Sequence, residues 1–197
     1  QDFLQAMGAY VHGAGSSTVV VEGGGTLHGC SHRVIGDRIV AATYLAAAAG
    51  VGGDICLREV EPGHLSTVIT LLAQAGCRVS CGENWIRLQS KGSLRSVAPI
   101  RTSPYPGFPT DAQAVVMAAL SRSRGTTVFV ENMFENRYRH VDELIRMGAD
   151  IRTEGRIAVV RGVEKLHSAS VSCTDLRGGA ALVIAALATE GRTTIHD

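Results

Sequence analysis

Three times along the chain an aspartate opens a run of apolar residues that a glycine closes: Asp37 before the run ending at Gly50, Asp111 before Gly125, and Asp175 before Gly191. The aspartates lie 74 and 64 residues apart. A second landmark, Gly8, Gly76 and Gly148, recurs after 68 and 72 residues. Two independent markers with one period define an internal repeat of a single supersecondary unit, and such a repeat dictates architecture before any one element does. Each full unit reads β-α-β-α-β-β, with one helix apolar on nearly every side and one amphipathic. A helix without a polar face has to be buried all round. The pattern therefore predicts an α/β (α+β) ring of three units, apolar helices in the middle and sheets outside.

Residues 1–27 read as the tail of a preceding unit, with a helix end stopped at Gly8 and strands over Ala9–His12 and Thr18–Glu22. Gly23-Gly24-Gly25 is a connection rather than a phosphate loop, since neither a G-K-[S/T] nor a helix follows. Residues 28–197 hold the repeats, as units over about 28–96, 97–165 and 166–197, the last incomplete. Both ends read as cut from something longer. Apolar residues make up 45% and charged residues 19%, which excludes a disordered chain. A formal net charge of +1 gives no electrostatic reason to expect nucleic acid or an anionic membrane. The five cysteines, odd in number and without a C-x-x-C pair, read as reduced cytosolic thiols, and no spacing suggests a metal. The apolar runs fall short of the roughly 20 residues that cross a bilayer.

The densest local signal is Pro104-Tyr105-Pro106-Gly107-Phe108-Pro109-Thr110-Asp111-Ala112-Gln113. Its prolines predict an extended, rigid segment up to Pro109. Thr110 is then the expected N-cap and Gln113 the partner of a T-x-x-Q capping box, leaving Asp111 in the first helical turn. Taken alone, Asp111 reads first as a helix start. With the central helices parallel, Asp37-Arg38, Thr110-Asp111 and Asp175-Arg177 gather at one end, and three helix N-termini with two arginines make that end an anion-binding face. The alternative is that these Asp–Arg pairs only bridge units. His64 and His140 are expected to cap the helices they begin.

Four segments then carry a likeness to known proteins: Arg33-Val-Ile-Gly-Asp-Arg-Ile39, Arg101-Thr-Ser-Pro-Tyr-Pro-Gly-Phe-Pro-Thr-Asp-Ala-Gln113, Phe134-Glu-Asn-Arg-Tyr-Arg-His-Val-Asp-Glu-Leu-Ile-Arg-Met-Gly-Ala149 and Thr174-Asp-Leu-Arg-Gly-Gly-Ala-Ala-Leu182. With these motifs in order over nearly its whole length, the chain resembles the enolpyruvyl transferase family, in the branch whose acceptor is UDP-N-acetylglucosamine. The resemblance implies two inverse α/β barrels of βαβαββ units with the active site in the cleft between them. This chain would correspond to about the second half. Its partner would be the N-terminal barrel, which bears the family's catalytic cysteine loop and a Lys-Asn pair, and a last phosphoenolpyruvate-binding arginine would lie beyond Asp197.

The implied activity is transfer of the enolpyruvyl group from phosphoenolpyruvate to the 3′-hydroxyl of UDP-N-acetylglucosamine, an early step of peptidoglycan synthesis. The implied enzyme is cytoplasmic, uses no metal or organic cofactor, and engages neither nucleic acid nor the membrane interior. By the same resemblance Asp111 contacts the sugar hydroxyl and is the candidate base. A helix N-terminus makes a carboxylate a weaker base, so closure would have to offset that. Met133, where the family usually has a branched aliphatic residue, and Phe134 face the nucleotide sugar; apart from the resemblance, Met133 reads as a loop hydrophobe capping the core and Phe134 equally as ordinary core. Arg137, Asp175 and Arg177 lie on the phosphoenolpyruvate side, Asp175 holding Arg177 or its neighbours, and Arg38 is a further substrate-binding candidate. Gly36 stands where the family normally has proline, which is expected to loosen the way into the first helix, and Gly178 where alanine is commoner. Two other readings stay open: a noncatalytic binding or scaffold domain of the same fold, and a transferase with another acceptor.

Overall fold

The computed structural model describes residues 1–173 and 175–197; Thr174, the first residue of the fourth motif, lies outside the described residues. The chain divides into two units, residues 1–35 and 36–197, a boundary eight residues beyond the expected one at 27/28. The first unit holds α1 (Asp2–Ala6), β1 (Tyr10–His12) and β2 (Val20–Glu22), the two strands pairing antiparallel with Tyr10 opposite Glu22. Among its described residues, 23–35 form no helix or strand.

The second unit begins with α2 (Arg38–Val51), β3 (Gly53–Arg58), a 3-10 turn (Pro62–Leu65), α3 (Ser66–Gln74), β4 (Arg78–Cys81) and β5 (Trp85–Ser90). The middle repeat follows as β6 (Ile100–Arg101), α4 (Thr110–Leu120), β7 (Thr126–Val130), α5 (Val141–Arg146), β8 (Asp150–Glu154) and β9 (Ile157–Arg161). The last comprises β10 (Ser170–Ser172), α6 (Leu176–Leu187) and β11 (Thr194–His196). Three sheets result, ordered β3-β5-β4, β6-β7-β9-β8 and β10-β11. The full βαβαββ pattern is present only in the middle repeat. There β6 pairs parallel with β7, as β10 does with β11, whereas β3 lies at a sheet edge and no strand precedes α2 among the described residues after β2. The expected first unit thus lacks its opening strand.

The repeat's glycine landmarks share one backbone reason. Gly8, Gly76 and Gly148 each follow a helix with φ of +95°, +108° and +93°, the left-handed conformation that ends a helix and that side chains with a Cβ resist. After Gly76 and Gly148 the chain turns into β4 and β8, so each glycine converts an amphipathic helix into a hairpin strand.

Central packing runs through α4, wedged between α2 and α6. Nine consecutive residues of α4, Ala112 to Leu120, are buried. The flanking helices differ from the expected all-round burial: α2 leaves Val40, Tyr44 and Val51 exposed, and α6 leaves Leu176, Val183 and Leu187 exposed. An apolar helix is buried only as far as its neighbours reach, and these residues of α2 and α6 lie beyond theirs. The approach of α2 to α4 is close because both present small residues; a Cβ on Gly50 would lie 3.0 Å from the Cα of Ala119. Leu45, Met117, Leu120 and Leu182 fill the spaces between, each contributing about 1.5–3 kcal/mol on transfer from water.

Two further expectations are corrected. Gly36 is a close approach rather than slack, since a Cβ there would lie 2.2 Å from the Glu59 carbonyl oxygen. Neither histidine caps a helix with its side chain: His64 lies inside the 3-10 turn, which Glu61 caps through Gly63 N–H, and His140 stands before α5 with no side-chain cap bond. His140 is instead buried, its Nε2 having no partner among the described residues.

Two stability predictions follow from this packing. A Cβ on Gly162 would sit 1.5 Å from the carbonyl oxygen of Ser123; Gly162→Ala should cost about 1–3 kcal/mol in denaturant melts, and an unchanged midpoint would remove this close approach from the account. Burial holds the His140 imidazole down to about 4, opposed by the charge of Asp175 and assisted by that of Arg137. The unfolded chain, titrating near 6.5, binds this proton first, so the contribution is complete above pH 6.5 and is lost as pH falls toward 4, by up to about 3 kcal/mol. The stability difference between wild type and His140→Gln should therefore shrink across that window, and a constant difference would contradict it.

Candidate functional site

The start of α4 is not closed by the expected capping box. The helix begins at Thr110 with Pro109 in the cap position and no side-chain cap bond. The preceding segment is also not extended: Gly107 N–H donates to Pro104 O (2.8 Å), Ser103 N–H to Phe108 O (3.0 Å), and the Tyr105–Pro106 bond is cis. The reason the box fails lies about twenty residues downstream. Glu131, 1% exposed, draws both of its side chains: Thr110 Oγ1 donates to Glu131 Oε2 at 2.9 Å and Gln113 Nε2 to the same oxygen at 2.8 Å. A buried carboxylate needs several donors, and these two supply those of Oε2. Glu131 Oε1 accepts from Thr102 Oγ1 (2.9 Å) and from the backbone of Met133 (2.7 Å) and Phe134 (3.1 Å).

The loop after β7 is thereby tied to the start of α4. It carries Met133 and Phe134, 42% and 51% exposed, and ends at Arg137, whose guanidinium lies 5.2 Å from the Phe134 ring centroid. Tyr138 closes the loop by donating toward Phe129 O (3.3 Å) and Arg156 O (3.1 Å), and burial, aided by the Glu131 charge, pushes its phenol up to about 12.

Asp111 stands between two arginines. Arg137 Nη2 donates to its Oδ1 at 2.5 Å and Arg177 Nη2 to its Oδ2 at 3.3 Å. Both guanidiniums are largely buried, while the Asp111 side chain keeps 40% of its exposure. Arg177 comes from the first turn of α6, so this bond brings the N-termini of α4 and α6 together. Asp175 does not pair with the Arg177 guanidinium; its Oδ1 caps α6, accepting from the N–H groups of Arg177 and Gly178 at 2.9 Å each. In the same way Asp37 caps α2 through Ile39 (2.7 Å) and Val40 (3.1 Å). Arg38 reaches neither Asp111 nor the other arginines: its guanidinium lies 5.5 Å from the ring centroid of Tyr105, whose other neighbour is the edge of His64. That contact places the start of α2 beside the loop leading into α4.

The structure thus brings Asp111, Arg137 and Arg177 into direct contact, sets Met133 and Phe134 beside them, and leaves Asp175 and Arg38 as the flanks. Each guanidinium has five N–H donors and spends one on Asp111, so both retain donors for an anion. Glu131, Thr102 and Tyr138 hold the arrangement and were not singled out in the sequence, where an acid following the alternating residues 126–130 looks like an ordinary strand end. Among the described residues no three of His, Cys, Asp and Glu are grouped to hold a metal ion. Among them, too, no helix is long and apolar enough to cross a membrane.

Known proteins share the sequence and the fold of this chain. A family model described as EPSP synthase (3-phosphoshikimate 1-carboxyvinyltransferase) matches residues 1–197. A UDP-N-acetylglucosamine 1-carboxyvinyltransferase of Desulfofundulus thermocisternus is 51% identical over 197 residues, all of this chain and 81% of that protein. UDP-N-acetylglucosamine 1-carboxyvinyltransferase 2 of Caldanaerobacter subterraneus subsp. tengcongensis is 46% identical over 196 residues, 47% of its length. The chain spans about half the length of most such relatives. Among solved structures, the enolpyruvyl transferase NikO from Streptomyces tendae superposes with a TM-score of 0.82 at 26% identity, over 98% of this chain and 46% of that one. By the match along its full length and by these identities, the chain belongs to the EPSP synthase family of enolpyruvyl transferases.

Proposed function

We propose that the chain is the acceptor-receiving part of a UDP-N-acetylglucosamine 1-carboxyvinyltransferase, whose complete form moves the enolpyruvyl group of phosphoenolpyruvate to the sugar 3′-hydroxyl and releases phosphate. The observation that carries the reading is the half-exposed Asp111 carboxylate held between two guanidiniums beside the exposed Met133–Phe134 segment. The high identity to relatives bearing that enzyme name supports it.

In this reading the sugar hydroxyl oxygen adds to the substituted carbon of the enol, whose terminal carbon takes a proton. Elimination then returns that proton and expels phosphate, restoring the double bond. Asp111 accepts the hydroxyl proton. Both of its oxygens are bonded to arginines, yet each carboxylate oxygen has a second lone pair for a further partner. The donor's phosphate and carboxylate compete for the same guanidiniums, and drawing Arg137 or Arg177 away frees the carboxylate for the hydroxyl. Phe134, under the Arg137 guanidinium, and Met133 offer an apolar wall to the sugar nucleotide. Asp175 places negative charge at the start of α6, where it stabilises positive charge developing on the substituted carbon. Arg38 lies at the edge of the same rim, held on Tyr105. The reading carries with it a place in peptidoglycan synthesis and in the cytoplasm, and a second barrel completing the cleft.

Titration of the chain with UDP-N-acetylglucosamine tests this directly. Asp111→Asn should weaken binding by about tenfold or more, and in a complete enzyme should lower kcat by the roughly 10²–10⁴ typical of a lost general base. Binding indifferent to that substitution would remove Asp111 from the acceptor site. The 197 residues alone should release little phosphate from the two substrates, because positioning both supplies much of such a barrier; turnover at the rate of a complete enzyme would overturn the division of labour proposed here.

A further inference from the structure

The Glu131 carboxylate has no part in the chemistry above, although it touches both sides of the site. Its five partners are all neutral and are divided between its oxygens. Oε1 takes Thr102 Oγ1, Met133 N–H and Phe134 N–H; Oε2 takes Thr110 Oγ1 and Gln113 Nε2. One oxygen therefore holds the loop that presents Met133 and Phe134, and the other holds the first turn of α4 that presents Asp111. We infer that Glu131 is a positioning residue: its carboxylate is a spacer that sets the separation between Asp111 and the Met133–Phe134 segment, and so the width of the gap a sugar nucleotide fills. This deepens the acceptor reading and rests on it.

The two sides of the spacer tolerate different chemistry. Backbone N–H groups only donate, so the atom facing Met133 and Phe134 has to accept. On the other side the Thr110 hydroxyl can accept as well as donate. Gln113 can turn its amide to present Oε1, which is buried without a partner among the described residues. An amide in place of the carboxylate, with its oxygen toward the loop and its NH2 toward α4, thus keeps every connection. An aspartate keeps the charge but is one methylene shorter and cannot reach both sides. The role lies in the span and not in the charge, which inverts the usual expectation that Glu→Asp is the milder change.

The test compares Glu131→Gln with Glu131→Asp in the 197-residue chain through two readouts. In amide hydrogen exchange at Met133 and Phe134, the glutamine variant should stay within about threefold of wild type. The aspartate variant should exchange about tenfold faster or more, with the β7–β9 ladder unchanged in both. In titration with UDP-N-acetylglucosamine the glutamine variant should again stay within about threefold and the aspartate variant weaken about tenfold. An aspartate variant that matches wild type, or a glutamine variant as impaired as the aspartate one, overturns the spacer. Should wild type bind no UDP-N-acetylglucosamine, the acceptor reading falls while the exchange data still decide the spacer. Asp111→Asn separates the two, weakening binding without altering exchange at Met133 and Phe134. If the aspartate variant does not fold, Thr110→Val removes one Oε2 donor and leaves the loop side whole. It should weaken binding severalfold with exchange at Met133 and Phe134 unchanged; unaltered binding, or altered exchange there, overturns the spacer.

Discussion

Everything at the candidate site depends on how closely α2 and α6 approach α4. Nine buried residues in a row leave α4 no solvent face beyond its first turn, so it is stable only where other elements enclose it. Small residues at its contacts, such as Gly50 against Ala119, allow that enclosure at short range. Helices packed this tightly have little freedom to slide, because displacement opens voids that a close-packed interior resists. The consequence for chemistry is registration: the first turns of α4 and α6 are fixed near enough for Asp111 and Arg177 to bond. Packing energy far from the rim is what keeps charged groups together at the rim.

A second constraint acts at right angles to the helices. Strand β7 delivers Glu131 beneath the start of α4, and the chain then folds back over that carboxylate as the Met133–Arg137 loop. Loops are ordinarily the mobile part of a fold, but this one has two of its backbone N–H groups bound to a buried acid and Tyr138 pinned to two backbone carbonyls. Arg137 is therefore presented from a firm base, with Phe134 beneath its guanidinium. The site is assembled from three helix or strand ends and one braced loop, all of them supported from below.

Much of this frame was legible in the sequence. The period of the glycines gave the repeat because a left-handed residue is needed each time a helix turns into a strand. Asp37 and Asp175 sit at helix starts and cap them with their own carboxylates, a local interaction that a local pattern can reveal. Thr110 and Gln113 followed the same pattern and were misread, since their partner, Glu131, is distant in sequence and near in space. Tertiary contact also explains Arg38, which stacks on Tyr105 instead of joining the other arginines, and the exposed stripes on α2 and α6, whose burial depends on neighbours rather than on composition. Asp111 and Arg177 were joined by the repeat, which gathers its junctions at one end, whereas Arg137 came to notice through motif resemblance. No spacing rule brings position 137 to the other two; only the fold does.

The pairing of one acid with two guanidiniums also bears on how a ligand finds the rim. Local charge there is one unit positive rather than two, and a field reaching out into solvent fades within about 10 Å at ordinary ionic strength. Little long-range pull remains to steer an anion inward. Discrimination falls instead to the moment of contact, when an arriving group has to offer the guanidiniums a better geometric match than the resident carboxylate does. A fork-shaped or multiply charged oxyanion can do that, and a halide or a lone hydroxyl cannot. On the proposed reading, such a rim takes up its ligand by exchange of partners.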